Sequence, residues 1–351
     1  MDHPAVLRTT LDRHAVRGEL YAPLDRSWLL CTACGHRCRI PPGRYGICKV
    51  RENRGGLLFV PAGYTAGVAV DPIEKKPFFH ALPGSTALSF GMLGCDYHCA
   101  YCQNWITSQA LRDPDAGSMI EIATADQLAR AALAHGARVV TSTYNEPLIT
   151  AEWAVEVFRA ARAAGLKTAF VSNGNATPEV LEYLQPHLDL YKVDLKSFRP
   201  ETYRRLGGTL ETVLETIRAL RRMGVWIEVV TLLVPGLNDS DVEMREIAEF
   251  LAGVSPEIPW HVTAFHGDYR MTEPGRTTAR ALVHAAGIGR AAGLQFVYTG
   301  NLPGMTDGNE DTRCPSCSTT LIRRVGFFVG ENLIERGCCS ACRTRIPGVW
   351  A

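Results

Sequence analysis

The sequence has no run of about 18 apolar residues, so nothing in it reads as a membrane-spanning helix. A strong charge of either sign is also missing. Lysine plus arginine number 37 and aspartate plus glutamate 36, for a formal net charge of +1. That balance leaves no global electrostatic footprint for nucleic acid or an anionic membrane. There is no low-complexity segment. No Gly-x-Gly-x-x-Gly fingerprint follows an early strand, which counts against a dinucleotide-binding fold. Met1 to Thr10 carry no apolar signal core, and a reducing, cytoplasmic location is expected. Between Cys102 and Cys314 there is no cysteine.

Elsewhere cysteine is abundant. Twelve fall into three tight groups, at residues 31–48, 95–102 and 314–342. Disulfide frameworks spread cysteines across a small fold, whereas metal sites gather them at short spacing. Thiolate-bound metal is therefore expected.

The middle of the chain repeats one pattern: an apolar β-rich run, polar residues, a helical stretch, a glycine. Strands are expected at Ala87–Met92, Arg138–Thr143, Lys167–Ser172, Leu190–Leu195, Trp226–Leu233, Trp260–Phe265 and Leu294–Tyr298. Continuous apolar runs such as Trp226–Leu233 suit parallel strands covered on both faces. Thr124 to Gln127 reads as a capping box, and Thr177 before Pro178 as an N-cap. Helices are expected to end at Gly136, Gly165, Gly224, Gly253 and Gly293. The alternation implies an α/β fold with a parallel sheet, and at least six units suggest a full or partial barrel. A doubly wound open sheet is the alternative. The barrel is expected over residues 61–300. Small Cys-rich modules flank it at 1–60, where there is little helix signal, and at 301–351.

Cys95-x3-Cys99-x2-Cys102 follows the first expected barrel strand directly. In a parallel barrel, the loop after a strand lies on the face where active sites gather. Three thiolates wrap a four-iron cubane and leave one iron without a protein ligand, free to bind a cofactor or substrate. A zinc site or a plain ferredoxin cluster is the competing reading, but structural zinc takes four ligands and only His98 is near enough in sequence to supply one. Later strand ends add Glu146, then Ser172 and Asn173 before Gly174, then Asp194 with Lys196, then His266. Strand alternation puts Asp194 and Lys196 on one face, where buried charge must be paired or meet a ligand. Ser172 and Asn173 suit either a turn or ligand contact.

The cysteine spacing, with Tyr101 before the last cysteine, resembles the radical SAM superfamily. Asp71–Pro77, Pro83–Ser85, Cys102–Trp105, Thr143–Pro147 and Val193–Lys196 together resemble the AmmeMemoRadiSam-system radical SAM proteins, which are similar to pyruvate formate-lyase activating enzyme. The resemblance covers roughly residues 25–350. It implies a partial (β/α)6 barrel and a [4Fe–4S] cluster on Cys95, Cys99 and Cys102. It also implies reductive cleavage of S-adenosylmethionine to a 5′-deoxyadenosyl radical that takes hydrogen from a substrate. Tyr101, Glu146, Ser172, Asn173, Asp194, Lys196 and His266 would contact the cofactor. Glu146 would meet the methionine ammonium; Tyr144 and Asn145 replace the two glycines of the family's Gly-Gly-Glu-Pro pattern. The implied partners are a flavodoxin- or ferredoxin-like electron donor and AMMECR1-type and Memo-type proteins. Glycyl-radical activation is an alternative. It is weakened because the extra cysteines precede the central group and lack the Cys-Pro ending of ferredoxin-like inserts. An RNA-modifying enzyme and a metal-thiolate scaffold are further alternatives.

Cys314-x2-Cys317 and Cys339-x2-Cys342, 21 residues apart, read as a zinc ribbon, with an auxiliary iron–sulfur cluster as the alternative and Cys338 spare. Cys31, Cys34, Cys38 and Cys48 suit zinc or an auxiliary cluster equally, and His36 reads as a surface residue. Glu74, Lys75 and Lys76 read as a solvated charged loop.

Overall fold

The computed structural model describes residues 3–117 and 119–351, with side chains of the first helix described from Leu7 onward. The apolar runs form seven parallel strands: β1 (Thr86–Gly91), β2 (Ala137–Ser142), β3 (Lys167–Ser172), β4 (Leu190–Asp194), β5 (Trp226–Leu233), β6 (Trp260–Ala264) and β7 (Val297–Gly300). Each is hydrogen-bonded to the next in that order. A strand at Gly67–Pro72 pairs antiparallel with β1 and forms the other edge. The two edges do not pair, so the barrel stays open. Helices follow each strand from β1 to β6: α1 (Ala125–Ala134), α2 (Ala151–Ala163), α3 (Pro178–Leu184), α4 (Pro200–Leu206) with α5 (Leu210–Arg222), α6 (Asp241–Val254) and α7 (Ala279–Ala291). A short turn of helix, Trp105–Ser108, precedes α1. This is the partial (β/α)6 barrel expected from the sequence, with a seventh strand added.

Local signals place the helix ends. Thr124 and Gln127 form the capping box that starts α1, and the Thr177 hydroxyl accepts the Val180 N–H at 3.2 Å to start α3. Gly136, Gly165, Gly224 and Gly293 all lie just past helix ends with φ between 66° and 98°, a conformation glycine adopts freely. Gly253 does not end its helix: α6 runs through it to Val254 and stops at extended Ser255. The last strand starts at Val297, later than expected. The Leu294 and Gln295 N–H groups instead bond the carbonyls of Gly289 and Pro256. The first sixty residues contain an unexpected helix at His3–Arg13, followed by short antiparallel strands including Leu29–Cys31 and Arg39–Ile40.

The floor of the barrel lies at the strand starts. Ala87, Val139, Ala169 and Leu190 pack there against Ile73, Phe78, Ala81 and Leu82. The expectation of a solvated loop at Glu74–Lys76 holds only for Lys75. Glu74 is buried, accepts the Gly84 N–H at 2.8 Å and faces the buried Arg324 guanidinium at 4.0 Å. Lys76 is buried, pairs with Asp71 at 3.0 Å and lies 5.0 Å from the centre of the Tyr144 ring. His80 is enclosed between barrel and tail. Its Nδ1 lies 2.7 Å from the Pro347 carbonyl, which can only accept, so Nδ1 carries the proton. Its Nε2 accepts from the Tyr298 hydroxyl. Burial lowers the His80 pKa to about 4.

Candidate active site

The loops after β1 and β2 touch. A side chain at Gly91 would begin 2.6 Å from the Thr143 carbonyl and 2.8 Å from the Tyr144 Cβ. Close backbone approach at that glycine draws Glu146 toward the cradle of Cys95, Cys99 and Cys102. Cys99 is buried, and Cys95 and Cys102 are half-buried. Burial pushes the Cys95 thiol well up, with nearby Asp96 and Glu146 adding to it. It pushes Cys99 up to about 12 despite the opposing Lys196 ammonium. The Tyr97 N–H donates to Cys95 Sγ at 3.4 Å, and the Ser108 hydroxyl lies 3.2 Å from Cys102 Sγ. Such thiols gain most from a cation that stabilises their thiolate form.

Asp96 was not anticipated. It is fully buried, and its two oxygens accept the side-chain amides of Asn173 and Asn175, each at 2.8 Å. Glu146 is buried beside it. One Glu146 oxygen accepts the Ser172 hydroxyl at 2.7 Å and the Leu148 N–H at 3.1 Å; the other accepts the Asn173 N–H at 2.8 Å. Burial first, and then the Asp96 charge, raise the Glu146 pKa to about 8 in spite of these donors. Neither carboxylate has a cationic partner among the described residues. Tyr191 donates its hydroxyl to Ser172 at 2.9 Å and so helps fix it.

The opposite charge collects at the end of β4. Asp194 is held between Lys192 and Lys196, the latter at 3.0 Å. Burial works to raise the Asp194 pKa, but the two ammonium groups outweigh it and hold it at about 2. Burial works to lower the Lys196 pKa, but the Asp194 carboxylate outweighs it and holds it well above the ordinary value. Tyr101 is buried, which pushes its phenol well up. Lys192 was missed, although it continues the period of Asp194 and Lys196. His266 is half-buried, with Nε2 3.1 Å from Gln103 Nε2, one residue past Cys102. The fold therefore brings Tyr101, Glu146, Ser172, Asn173, Asp194, Lys196 and His266 to one end of the sheet around the three cysteines. A cavity of about 400 Å³ opens beside the cradle, lined in part by His98, Tyr101, Arg112, Arg205 and Arg270. A larger groove of about 690 Å³ runs between α3 and α5 and includes no cradle residue.

Comparison with known proteins decides the family. The Radical SAM superfamily pattern matches residues 91–251, from the end of β1 through the cradle, Glu146 and the lysine–aspartate triad. An uncharacterized protein of Methanocaldococcus jannaschii is 34% identical over 331 residues, covering 93% of this chain and 97% of that one. The chain belongs to the radical SAM superfamily. Pyruvate formate-lyase 1-activating enzyme of Escherichia coli is 28% identical over 174 residues, 48% of this chain and 69% of that enzyme. A solved radical SAM methyltransferase from Sphaerobacter thermophilus superposes with a TM-score of 0.49 at 17% identity, covering 65% of this chain and 69% of that one. Radical SAM proteins use a [4Fe–4S] cluster and S-adenosylmethionine and commonly need an external electron donor. The donor set here fits both cofactors: Cys95, Cys99 and Cys102 lie within reach of one another, beside two buried carboxyls that have no cationic partner among the described residues. No helix among the described residues is long and apolar enough to cross a membrane.

The tail cysteines are arranged differently. Cys314 and Cys342 sulfurs are 3.5 Å apart and Cys317 and Cys339 sulfurs 3.7 Å, and all four lie within 4.8 Å of one another. Tetrahedral zinc with Zn–S bonds of about 2.3 Å needs sulfurs about 3.8 Å apart. The Thr344 hydroxyl, 3.2 Å from Cys342 Sγ, lowers that thiol to about 6. Cys338 stands outside the group.

Proposed function

We propose that this radical SAM protein binds S-adenosylmethionine between two oppositely charged walls and cleaves it at the cradle of Cys95, Cys99 and Cys102. The separation of charge carries the reading. Asp96 and Glu146 are buried carboxyls with no cationic partner among the described residues, so Glu146 would ionise fully only beside an arriving cation, and Lys192, Asp194 and Lys196 together carry one surplus positive charge. An amino acid zwitterion is complementary to that pair of walls: its ammonium suits Glu146 and its carboxylate suits Lys196. Ser172, Asn173 and Leu148 hold the Glu146 carboxylate still, and Tyr191 holds Ser172. Tyr101 closes the cradle against water, and His266 with Gln103 borders the remaining side. A [4Fe–4S] cluster held by Cys95, Cys99 and Cys102 would supply the one electron that breaks the sulfonium C–S bond of the cofactor, with methionine as the leaving group, and so would initiate hydrogen abstraction.

The tail thiols fit one zinc ion, which ties the ends of the ribbon without chemistry. The motif likeness to AmmeMemoRadiSam proteins supports partnership with AMMECR1-type and Memo-type proteins. Similarity to pyruvate formate-lyase activating enzymes supports a second reading, hydrogen abstraction from a peptidyl glycine. The residue types around the cradle suit either substrate.

Protein reconstituted without oxygen and given dithionite and S-adenosylmethionine is expected to release 5′-deoxyadenosine. Equal release by the Cys95→Ala, Cys99→Ala, Cys102→Ala variant would refute the assignment. Deuterium entering a partner chain from solvent would select the glycyl-radical reading.

A further inference from the structure

The N-terminal cysteines stand one residue layer from the cradle. The Cys48 carbonyl lies 3.0 Å from where a side chain on Gly94 would begin, so the residue before Cys95 must be small and takes a φ of 94°. From the other side, His36 Nε2 reaches the Asp96 carbonyl at 3.2 Å. The Gly35 N–H donates to the carbonyl of Asn175 at 2.8 Å, and the Asn175 side chain holds Asp96. Cys31, Cys34 and Cys48 are buried and Cys38 is half-buried. Backbone contacts draw the set together: the Cys31 N–H donates to the Cys38 carbonyl at 2.9 Å, and the N–H of Ile47, the residue before Cys48, donates to Cys38 Sγ at 3.5 Å.

Their spacing differs from that of the tail. Among the described residues, no three of these sulfurs share the mutual 4.8 Å approach that the tail set shows. One zinc ion needs edges of about 3.8 Å. A cubane keeps its outer thiolates farther apart, because four metal corners lie between them. The segment around the set is also basic. From Arg26 to Arg51 the chain has six cations and no aspartate or glutamate. Arg37 pairs with Glu179 and Arg51 with Glu152, but Arg39, Arg44 and Lys49 are exposed and meet no carboxylate among the described residues.

We infer that Cys31, Cys34, Cys38 and Cys48 hold a second, fully ligated [4Fe–4S] cluster, through which an acidic one-electron carrier protein feeds the cradle. Four thiolates leave no iron open, so this cluster exchanges electrons and binds no substrate. One electron leaves the reduced carrier, which is thereby oxidised, and the same electron passes on to the cradle; no bond or proton changes. Half-buried Cys38 lies toward the surface and Cys48 toward Gly94, so the set bridges solvent and active site. The basic skin attracts an acidic carrier and raises its rate of encounter. Only the electron's destination rests on the proposed function.

The test counts metal in the whole chain. Protein reconstituted without oxygen is expected to hold about eight irons, about eight sulfides and about one zinc. Replacing the N-terminal four cysteines by serine halves iron and sulfide and leaves zinc unchanged. The Cys95→Ala, Cys99→Ala, Cys102→Ala variant also retains half the iron. Reduced with dithionite, it shows an electron paramagnetic resonance signal that S-adenosylmethionine does not alter. Four irons with two zincs in the wild type would overturn the inference. So would a cradle variant that is folded by circular dichroism, loaded with zinc and free of iron. Release of 5′-deoxyadenosine by such a four-iron wild type would leave the proposed function standing, so the two failures are distinct. For the electron route, combined Arg39→Glu, Arg44→Glu and Lys49→Glu should lower the ratio of carrier-driven to dithionite-driven 5′-deoxyadenosine formation. An unchanged ratio would overturn it.

Discussion

Asp96 and Glu146 have amides, hydroxyls and backbone N–H groups for partners but no cation among the described residues, which leaves the Glu146 pKa raised to about 8. A ligand that brings an ammonium group would remove that deficit. A hydrogen bond to a charged group contributes about 1.5–3 kcal/mol, so Glu146→Gln should weaken S-adenosylmethionine binding about 10- to 100-fold. Equilibrium dialysis of cluster-loaded protein measures this. Unchanged affinity would remove Glu146 from the ammonium site. Crowding at Gly91 gives a second expectation. Gly91→Ala drives a methyl group into the Thr143 carbonyl and should cost about 1–3 kcal/mol of stability by urea titration. At this scale the sequence was partly legible. Asp194 and Lys196 stood out because strand period puts them on one face, and Lys192 obeys the same period. Asp96 carried no such signal. It sits in the spacer between two cysteines, and its partners Asn173 and Asn175 arrive from the loop after β3.

Helix ends were legible wherever the cause was local, as at Thr124, Thr177 and Gly136, because a cap is made within a few residues. Gly253 misled because an exposed helical glycine has the same sequence appearance as a terminal one. The floor loop was illegible for the opposite reason. Glu74 is buried because Arg324 faces it from the other end of the chain. The same loop makes stability depend on pH. Burial holds the folded pKa of His80 at about 4, below its unfolded value of 6.5. A group with a depressed folded pKa that is charged when protonated favours folding above its unfolded pKa. That contribution is lost as pH falls from 6.5 toward 4. Between pH 7.5 and 5 the wild type should lose about 2 kcal/mol more than His80→Gln, read by urea unfolding at both pH values. Parallel losses would exclude His80 as the source.

Across the whole molecule, the two ends of the chain close opposite ends of the barrel. The N-terminal cysteine segment lies against the cradle, while the tail seals the floor. Arg324 donates to Thr312 at 2.7 Å and to the Phe79 carbonyl at 2.8 Å, and its guanidinium lies 4.4 Å from the centre of the Phe79 ring. The Val349 N–H donates to the His80 carbonyl at 2.7 Å. Arg324→Ala strips buried partners from both sides of this junction and should cost about 3 kcal/mol or more. Calorimetry should show a lower melting temperature; an unchanged one would mean the tail is not clamped through Arg324. The crowding of the tail sulfurs has a further consequence, in the history of a sample. Thiols 3.5 and 3.7 Å apart need little movement to reach the roughly 2.05 Å of a sulfur–sulfur bond. Metal-free chain exposed to air would therefore be oxidised at the very atoms that should receive the ion. Loading then comes too late, and the order of events, metal first and oxygen afterwards, decides which molecule is isolated.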